Sequence, residues 1–223
     1  MTAFALDRLS AAYGEKRVLG PLTLHVARGE KVALIGHSGA GKSTLLGLMF
    51  DRQRRDIALM PQDLGLVQTL SVFHNVYMGR LATHSTLYNL ANLVRPMRRE
   101  VARICEILES LDLADKLWAA AGELSGGQRQ RTAVARALYQ PASVLLADEP
   151  VSALDGPRAE AVMQQLSQHF ETTVIALHDV ELALRHSDRI VGIRDGGIAL
   201  DAPSHRLNAS ELQAFYAAPP PAA

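Results

Sequence analysis

The sequence predicts an α/β fold with a mainly parallel sheet covered by helices, and three observations carry that expectation. Short apolar runs alternate with helix-forming stretches along most of the chain. Several of these runs end abruptly in polar residues, among them Gln62, Asp148-Glu149 and His178. A glycine-rich turn, Gly36-His37-Ser38-Gly39-Ala40-Gly41-Lys42-Ser43, joins the apolar run Lys31–Ile35 to the helix-forming run Thr44–Phe50.

The elements follow in order. Residues Ala3–Leu9 and Leu22–Val26 alternate apolar and polar side chains, as strands with one buried face do. Tyr13 falls between them in Ala12-Tyr13-Gly14, where its ring suits a stack on a purine and, equally, a surface turn. Arg28-Gly29-Glu30 marks a turn before Lys31–Ile35, a run of Val, Ala, Leu and Ile that reads as a central strand buried on both faces. After the glycine-rich turn and its helix, Ile57–Met60 is a short strand ending in Pro61-Gln62-Asp63. From Thr69 to Ala121 the pattern becomes helical, most clearly over Met97–Leu111, where Val101, Ile104, Cys105, Leu108 and Leu111 keep i, i+3, i+4, i+7 spacing.

Leu124-Ser125-Gly126-Gly127-Gln128 opens a further helix to about Tyr139. The alternation continues with the strand Val144–Ala147, a helix over Pro157–His169 and the strand Thr172–Leu177. Asp188–Arg194, the hairpin signal Asp195-Gly196-Gly197 and a short amphipathic helix near Ser210–Tyr216 close the ordered part. The Pro-rich tail at 219–223 is expected to be disordered. One domain over 1–223 accommodates all of this: a core at 1–63 and 141–218 with an inserted helical lobe at 64–140.

Composition bounds the function. Hydrophobic residues at 48% and charged residues at 21% of a 223-residue chain are ordinary globular values, enough for one large core. Lys+Arg 23 balances Asp+Glu 23, and the clusters Arg52–Arg55 and Arg95–Arg99 lack interleaved aromatics, so no nucleic-acid partner is expected. A single Cys105 on an apolar helix face reads as an inert buried thiol in a reducing compartment. With neither a signal-peptide pattern nor an apolar run long enough to span a membrane, a soluble cytoplasmic protein is expected, reaching a membrane only through a partner.

The glycine-rich turn is a phosphate cradle. Glycines permit backbone conformations that a side chain blocks, so N–H groups from Gly36 through Thr44 can converge on phosphate oxygens at a helix N-terminus. Lys42 would reach the β- and γ-phosphates, and the Ser43 hydroxyl would help coordinate Mg²⁺. Asp148 at a strand end suits the same metal, and its neighbour Glu149 suits a general base or water-orienting carboxylate. Gln62 can sense metal and water, and His178 can contact the γ-phosphate. All of these fall at carboxyl ends of strands, where open α/β sheets collect ligands.

These motifs, in this order, resemble the nucleotide-binding subunits of ATP-binding cassette (ABC) transporters over nearly the whole chain. The resemblance implies a P-loop NTPase that binds ATP and Mg²⁺. It implies Tyr13 as the adenine-stacking aromatic, Gly36–Ser43 as the Walker A loop and Gln62 as the Q-loop glutamine. It implies Leu124–Gln128 as the signature motif, Val144–Asp148 as Walker B with Glu149 as catalytic base, Ser152–Asp155 as the D-loop, and His178 as the switch histidine. It further implies a head-to-tail homodimer in which Ser125, Gly126, Gly127 and Gln128 of one subunit close over ATP held by Lys42 of the other. The remaining implied partners are a transmembrane permease and, indirectly, a substrate-binding protein, with the chain on the inner face of the membrane.

A narrower resemblance, in Ser71–Leu81 followed by His84-Ser85-Thr86, is to the branch that powers phosphonate import. Leu87, Tyr88, Leu90 and Leu93 nearby recur at helical spacing and form either an exposed permease contact or a core face. One departure is plain: only Thr44–Pro61 separates Ser43 from Gln62, too short for the extra strands usual there. A reduced antiparallel β-lobe is therefore expected, built from strands near Ala3–Leu9, Val18–Val26 and Lys31–Ile35. The competing readings are a soluble ABC-type ATPase acting on nucleic acid or ribosomes, which would call for tandem cassettes, a zinc module or a long coiled coil, and a regulatory module without turnover, which would dispense with Glu149 or His178.

Overall fold

The computed structural model describes residues 1–14 and 16–217, with the side chains of all of these except Tyr13 and Lys16. The tail at 219–223 lies outside the described residues. A six-stranded sheet forms the centre, from strands β3 (Lys31–Ile35), β4 (Ile57–Met60), β5 (Val144–Asp148), β6 (Thr172–Ala176), β7 (Arg189–Arg194) and β8 (Gly197–Pro203). Its order is β4-β5-β6-β3-β7-β8, parallel except for the final β7–β8 hairpin. The first two strands, β1 (Thr2–Tyr13) and β2 (Lys16–Ala27), make a separate antiparallel pair.

Period-two alternation divides the core in two. In β3, Ala33 and Ile35 face a core shared with the helical side, whereas Val32 and Leu34 face a core shared with β1, β2 and helix α1 (Lys42–Arg52). In β5, Leu145 and Ala147 face the first core, Val144 and Leu146 the second. Both faces are covered, which is why these strands read as unbroken apolar runs.

The helical side carries α2 (Val72–Tyr77), α3 (Thr86–Val94), α4 (Arg98–Ser110), α5 (Gly126–Tyr139) and α6 (Gly156–His169). Glu100 of α4 is buried and accepts hydrogen bonds from Tyr88 of α3 and Tyr139 of α5, tying three helices together. Cys105 is half-buried rather than fully buried, and burial pushes its thiol pKa up, away from the reactive thiolate.

Two expectations need correction. Lys31–Ile35 does not belong to the β-lobe: β3 is hydrogen-bonded between β6 and β7, and Val32 through Ile35 are each 0–1% exposed, which an edge strand of a small lobe cannot supply. The lobe is β1 and β2 alone, and they are longer than the alternating stretches suggest, because register shifts carry the pairing past Leu9 and Pro21 to Tyr13 and Lys16. As the short spacing requires, only Gln53–Asp56 separates α1 from β4, with no strand between. Two further helices follow β6: α7 (Val180–His186), which the sequence pattern does not signal, and α8 (Ala209–Ala217), which meets the expected C-terminal helix.

Candidate functional site

The glycine-rich turn leaves the carboxyl end of β3 and enters α1. Gly36 (φ 148°) runs so close to β7 that a Cβ there would lie 2.4 Å from the Ile193 carbonyl oxygen. Gly41 (φ 106°) would put a Cβ 2.5 Å from Leu19 of β2, so at these two positions the cradle is pressed against the sheet and the β-lobe with no room for a side chain. No side chain caps α1, which leaves the N–H groups of its first turn for an anion. Lys42 is buried, and its Nζ donates to the carbonyls of Gly36 (2.7 Å) and His37 (3.1 Å). Burial lowers its pKa, opposed by the charges of Glu149 and Asp148.

A hollow of about 130 Å³ lies over this loop, lined by Val18, Ser38, Gly39, Gly41, Lys42, Ser43, Thr44, Gln62 and Glu149. His37, Ser38 and Gly39 are exposed, and Ala40 and Thr44 half-buried. A second, larger hollow of about 590 Å³ opens beside it, where Ser43, Gln62 and Asp148 meet among Leu46, Leu59 and Met60. The residues expected from three separate strand ends therefore share one place.

Asp148 at the end of β5 is 4% exposed, and its Oδ1 has no hydrogen-bond partner among the described residues. An acceptor left so is costly unless something else supplies the missing interaction. Glu149 follows with φ 53°, a left-handed backbone that few non-glycine residues adopt. Its Oε1 stands 2.6 Å from His178 Nε2.

Gln130 of α5 was not foreseen. It is 2% exposed, donates to the Glu149 carbonyl (2.7 Å) and accepts from the Ala153 amide (2.7 Å), so it holds the strained Glu149 turn and the Ser152–Asp155 loop in one frame. A lone glutamine inside a helix carries no spacing signal, and only the fold shows its role.

Ser125–Gln128 stands apart. None of the four lines either hollow. Ser125 caps α5: its Oγ accepts from the Gln128 amide (3.3 Å) while Gln128 Oε1 accepts from the Ser125 amide (2.9 Å). Gln128, expected to contact nucleotide, thus has its side-chain oxygen engaged locally. Ser125 and Gly126 are exposed, and the Gly127 Cα faces the Ala153 carbonyl. Tyr13 closes β1, paired with Lys16 across the hairpin; its ring lies outside the described side chains.

A profile of the ABC transporter family matches residues 19–54 and 49–152. The chain belongs to the ABC transporter family. The cassette is 40% identical to "Phosphonates import ATP-binding protein PhnC" of Pseudomonas putida over 98% of this chain and 93% of that one. It is 42% identical to "Phosphonates import ATP-binding protein PhnC 1" of Pseudomonas syringae pv. syringae, over 88% and 84%. Among solved structures it resembles a dimeric bacterial ABC transporter cassette, with TM-score 0.76 and 26% identity over 92% of this chain and 99% of that one. It also resembles the post-hydrolysis state of such a cassette bound to ADP and Pi, with TM-score 0.74 and 26% identity over the same shares.

The family match breaks into two pieces at the end of α1, and the alignment to the P. putida protein spans 252 positions against 98% of 223 residues here. Both fit a cassette shortened between α1 and β4.

Proposed function

We propose that this cassette is the ATP-hydrolysing subunit of an importer, driving uptake of a phosphonate or related oxyanion through a separate permease. The observation that carries hydrolysis is the meeting of the uncapped phosphate loop, the unpartnered Asp148 Oδ1 and the Glu149–His178 pair at one edge of the sheet. The substrate class rests on the names of the relatives, and nothing in the site favours action on nucleic acid or ribosomes.

ATP would lay its phosphates along the loop from Gly36 to Thr44. Lys42 would exchange the Gly36 and His37 carbonyls for β- and γ-phosphate oxygens, a short move within one turn. The residues present also fit a Mg²⁺ ion, which takes oxygen ligands: the orphaned Asp148 Oδ1 shares its hollow with Ser43 and Gln62. When bound, such an ion neutralises phosphate charge. Glu149 would accept a proton from the attacking water as the water oxygen bonds to the γ-phosphorus and the bond from that phosphorus to the β–γ bridging oxygen breaks, releasing ADP, with His178 2.6 Å from the carboxylate and contacting the γ-phosphate.

The second half of the site would come from another copy. In a head-to-tail homodimer, Ser125–Gly127 of one subunit, at a helix N-terminus where Ser125 and Gly126 are exposed, would close over ATP on the Lys42 of its partner. Among the described residues no helix is long and apolar enough to cross a membrane. The names of its relatives as importer subunits support a cassette that sits at the inner membrane face by holding its permease. The substrate-binding protein would act one step removed.

We divide the chain as the sequence suggests, with the lobe at 64–140 inserted in the core. The permease contact falls on that lobe. In α3, Leu87, Leu90, Leu93 and Val94 are 81%, 56%, 51% and 81% exposed, a cluster a monomer has reason to hide. Tyr88 is not part of this face: it turns inward onto Glu100 and His84. Leu87→Glu with Leu90→Glu should abolish copurification with the permease and phosphonate uptake while leaving basal ATPase activity unchanged. Wild-type cassette that hydrolyses ATP, holds a permease and moves no phosphonate would overturn the substrate.

A further inference from the structure

We propose that the hydroxyl of Tyr216 is a wedge in the central sheet that sets the spacing between the phosphate loop and the His178 loop. This makes Tyr216 a positioning residue for ATP hydrolysis, and the inference rests on the hydrolytic reading above.

The ladder between β3 and β6 shows where the wedge sits. Leu34 is in register with Ala176, and the Leu177 amide donates to the Leu34 carbonyl at 3.0 Å. In a parallel ladder the next rung would run from the Gly36 amide to the Leu177 carbonyl. That rung is not made. The Gly36 amide donates instead to the Tyr216 hydroxyl (3.2 Å), and the hydroxyl donates to the Leu177 carbonyl (3.3 Å). A tyrosine hydroxyl both donates and accepts, so it satisfies both orphaned groups while keeping them apart. A direct rung would hold the same atoms about 2.9 Å from each other.

The two separated groups belong to the two halves of the catalytic machinery. Gly36 opens the phosphate loop, and its carbonyl receives Lys42. Leu177 immediately precedes His178, which holds Glu149. The strands must diverge here for one to enter the cradle and the other to carry the histidine. A water could fill the gap, but a tethered hydroxyl fixes its width.

The tether is firm. Leu212 of α8 is fully buried, and the Phe215 ring occupies the space beside Gly192 of β7, where a Cβ would lie 2.7 Å from it. The Arg194 guanidinium lies 4.4 Å from the Phe215 ring centre and donates to the Phe215 carbonyl. The Tyr216 ring meets His37 edge-on at 5.5 Å. Burial raises the phenol's pKa, opposed by the hydrogen bond from the Gly36 amide and aided by the nearby Glu149 charge, so the proton that bridges to Leu177 stays in place.

Tyr216→Phe removes the hydroxyl and keeps the ring. Either the Gly36 and Leu177 groups stay unpaired, or the rung closes and draws His178 toward the loop; both misplace the catalytic pair. The expected result is a fall in kcat of about tenfold with ATP affinity within about twofold of wild type, the pattern of lost positioning. The melting temperature should stay near that of wild type, and the backbone amide signals of Gly36 and His178 should shift together in a ¹⁵N spectrum. A variant with wild-type kcat, or with spectral changes confined to α8, would overturn the wedge. Wild-type cassette without ATPase activity would overturn the hydrolytic reading, and the spectral result would still decide the wedge.

Discussion

The phosphate loop and the loop that opens α5 are made from the same parts, glycines leading into a helix N-terminus, yet they are finished differently. The first is enclosed: Gly36 abuts β7, Gly41 abuts β2, Lys42 folds back on the loop carbonyls and Tyr216 receives the first amide. Its helix is left uncapped. The second is open: Ser125 and Gly126 face outward, and a complete capping box satisfies its polar ends. An uncapped helix inside a rigid frame is ready for an anion from solution, whereas a capped, exposed one has no need of a ligand within its own chain. On the proposed function, the difference separates a binding site from a docking surface. It also explains why one chain shows only half of the proposed ATP sandwich.

The comparison is broken most severely by disabling chemistry on the enclosed side alone. Glu149→Gln should retain ATP binding while turnover falls by about 10²–10⁴, the usual worth of a positioned general base. With ATP no longer consumed, dimers should accumulate, visible as an ATP-dependent shift on a sizing column. Near-normal phosphate release from the variant would mean that water is activated elsewhere.

The open loop is tested by charge. Gly127→Asp would set a carboxylate against the γ-phosphate of the opposite subunit, and dimerisation should weaken about a hundredfold in a poorly hydrated interface. A Cβ at Gly127 lies 3.1 Å from the Ala153 carbonyl, so Gly127→Ala is the control that adds bulk without charge. Nucleotide binding by the monomer should survive in both variants, measured by fluorescence titration. If the aspartate lowers monomer affinity as much as dimer affinity, the loop acts on its own chain's nucleotide.

How far these features were legible depends on how far each is local. The cradle is marked by spacing within one strand-turn-helix segment and Asp148-Glu149 by its place at the end of another apolar run, and the two line adjoining hollows. The shortened join between α1 and β4 was legible by length alone. The place of β3 was not, because a fully apolar run tells of burial on both faces but not of which neighbours pair with it. Helix α7 escaped because seven residues behind an Asp179 cap are too few to show a period. Gln130 and Tyr216 act through bonds to backbone groups distant in the chain, which no residue pattern announces. The face of α3 was ambiguous between core and contact until Tyr88 was seen to turn inward while Leu87, Leu90 and Leu93 stay exposed.

The smallest effect probes the rim of the enclosed side. The β-lobe that survives the shortening is the β1–β2 hairpin, and it is joined to the rest through Leu19 against Gly41 and through the Gly20 amide donating to the Gly196 carbonyl at 2.9 Å. Val18 lines the hollow over the phosphate loop. Tyr13 is paired across the hairpin with Lys16, which lies two residues before Val18. Nothing between α1 and β4 contributes a strand there, so the proposed platform for adenine is the hairpin. Tyr13→Ala should therefore weaken ATP binding by about 1–3 kcal/mol, the size of one base–aromatic stack. Inorganic triphosphate, which has no base, should bind wild type and variant equally. Titration with a fluorescent ATP analogue and competition by triphosphate would separate the two effects, and equal ATP affinity in both proteins would assign the base to another residue.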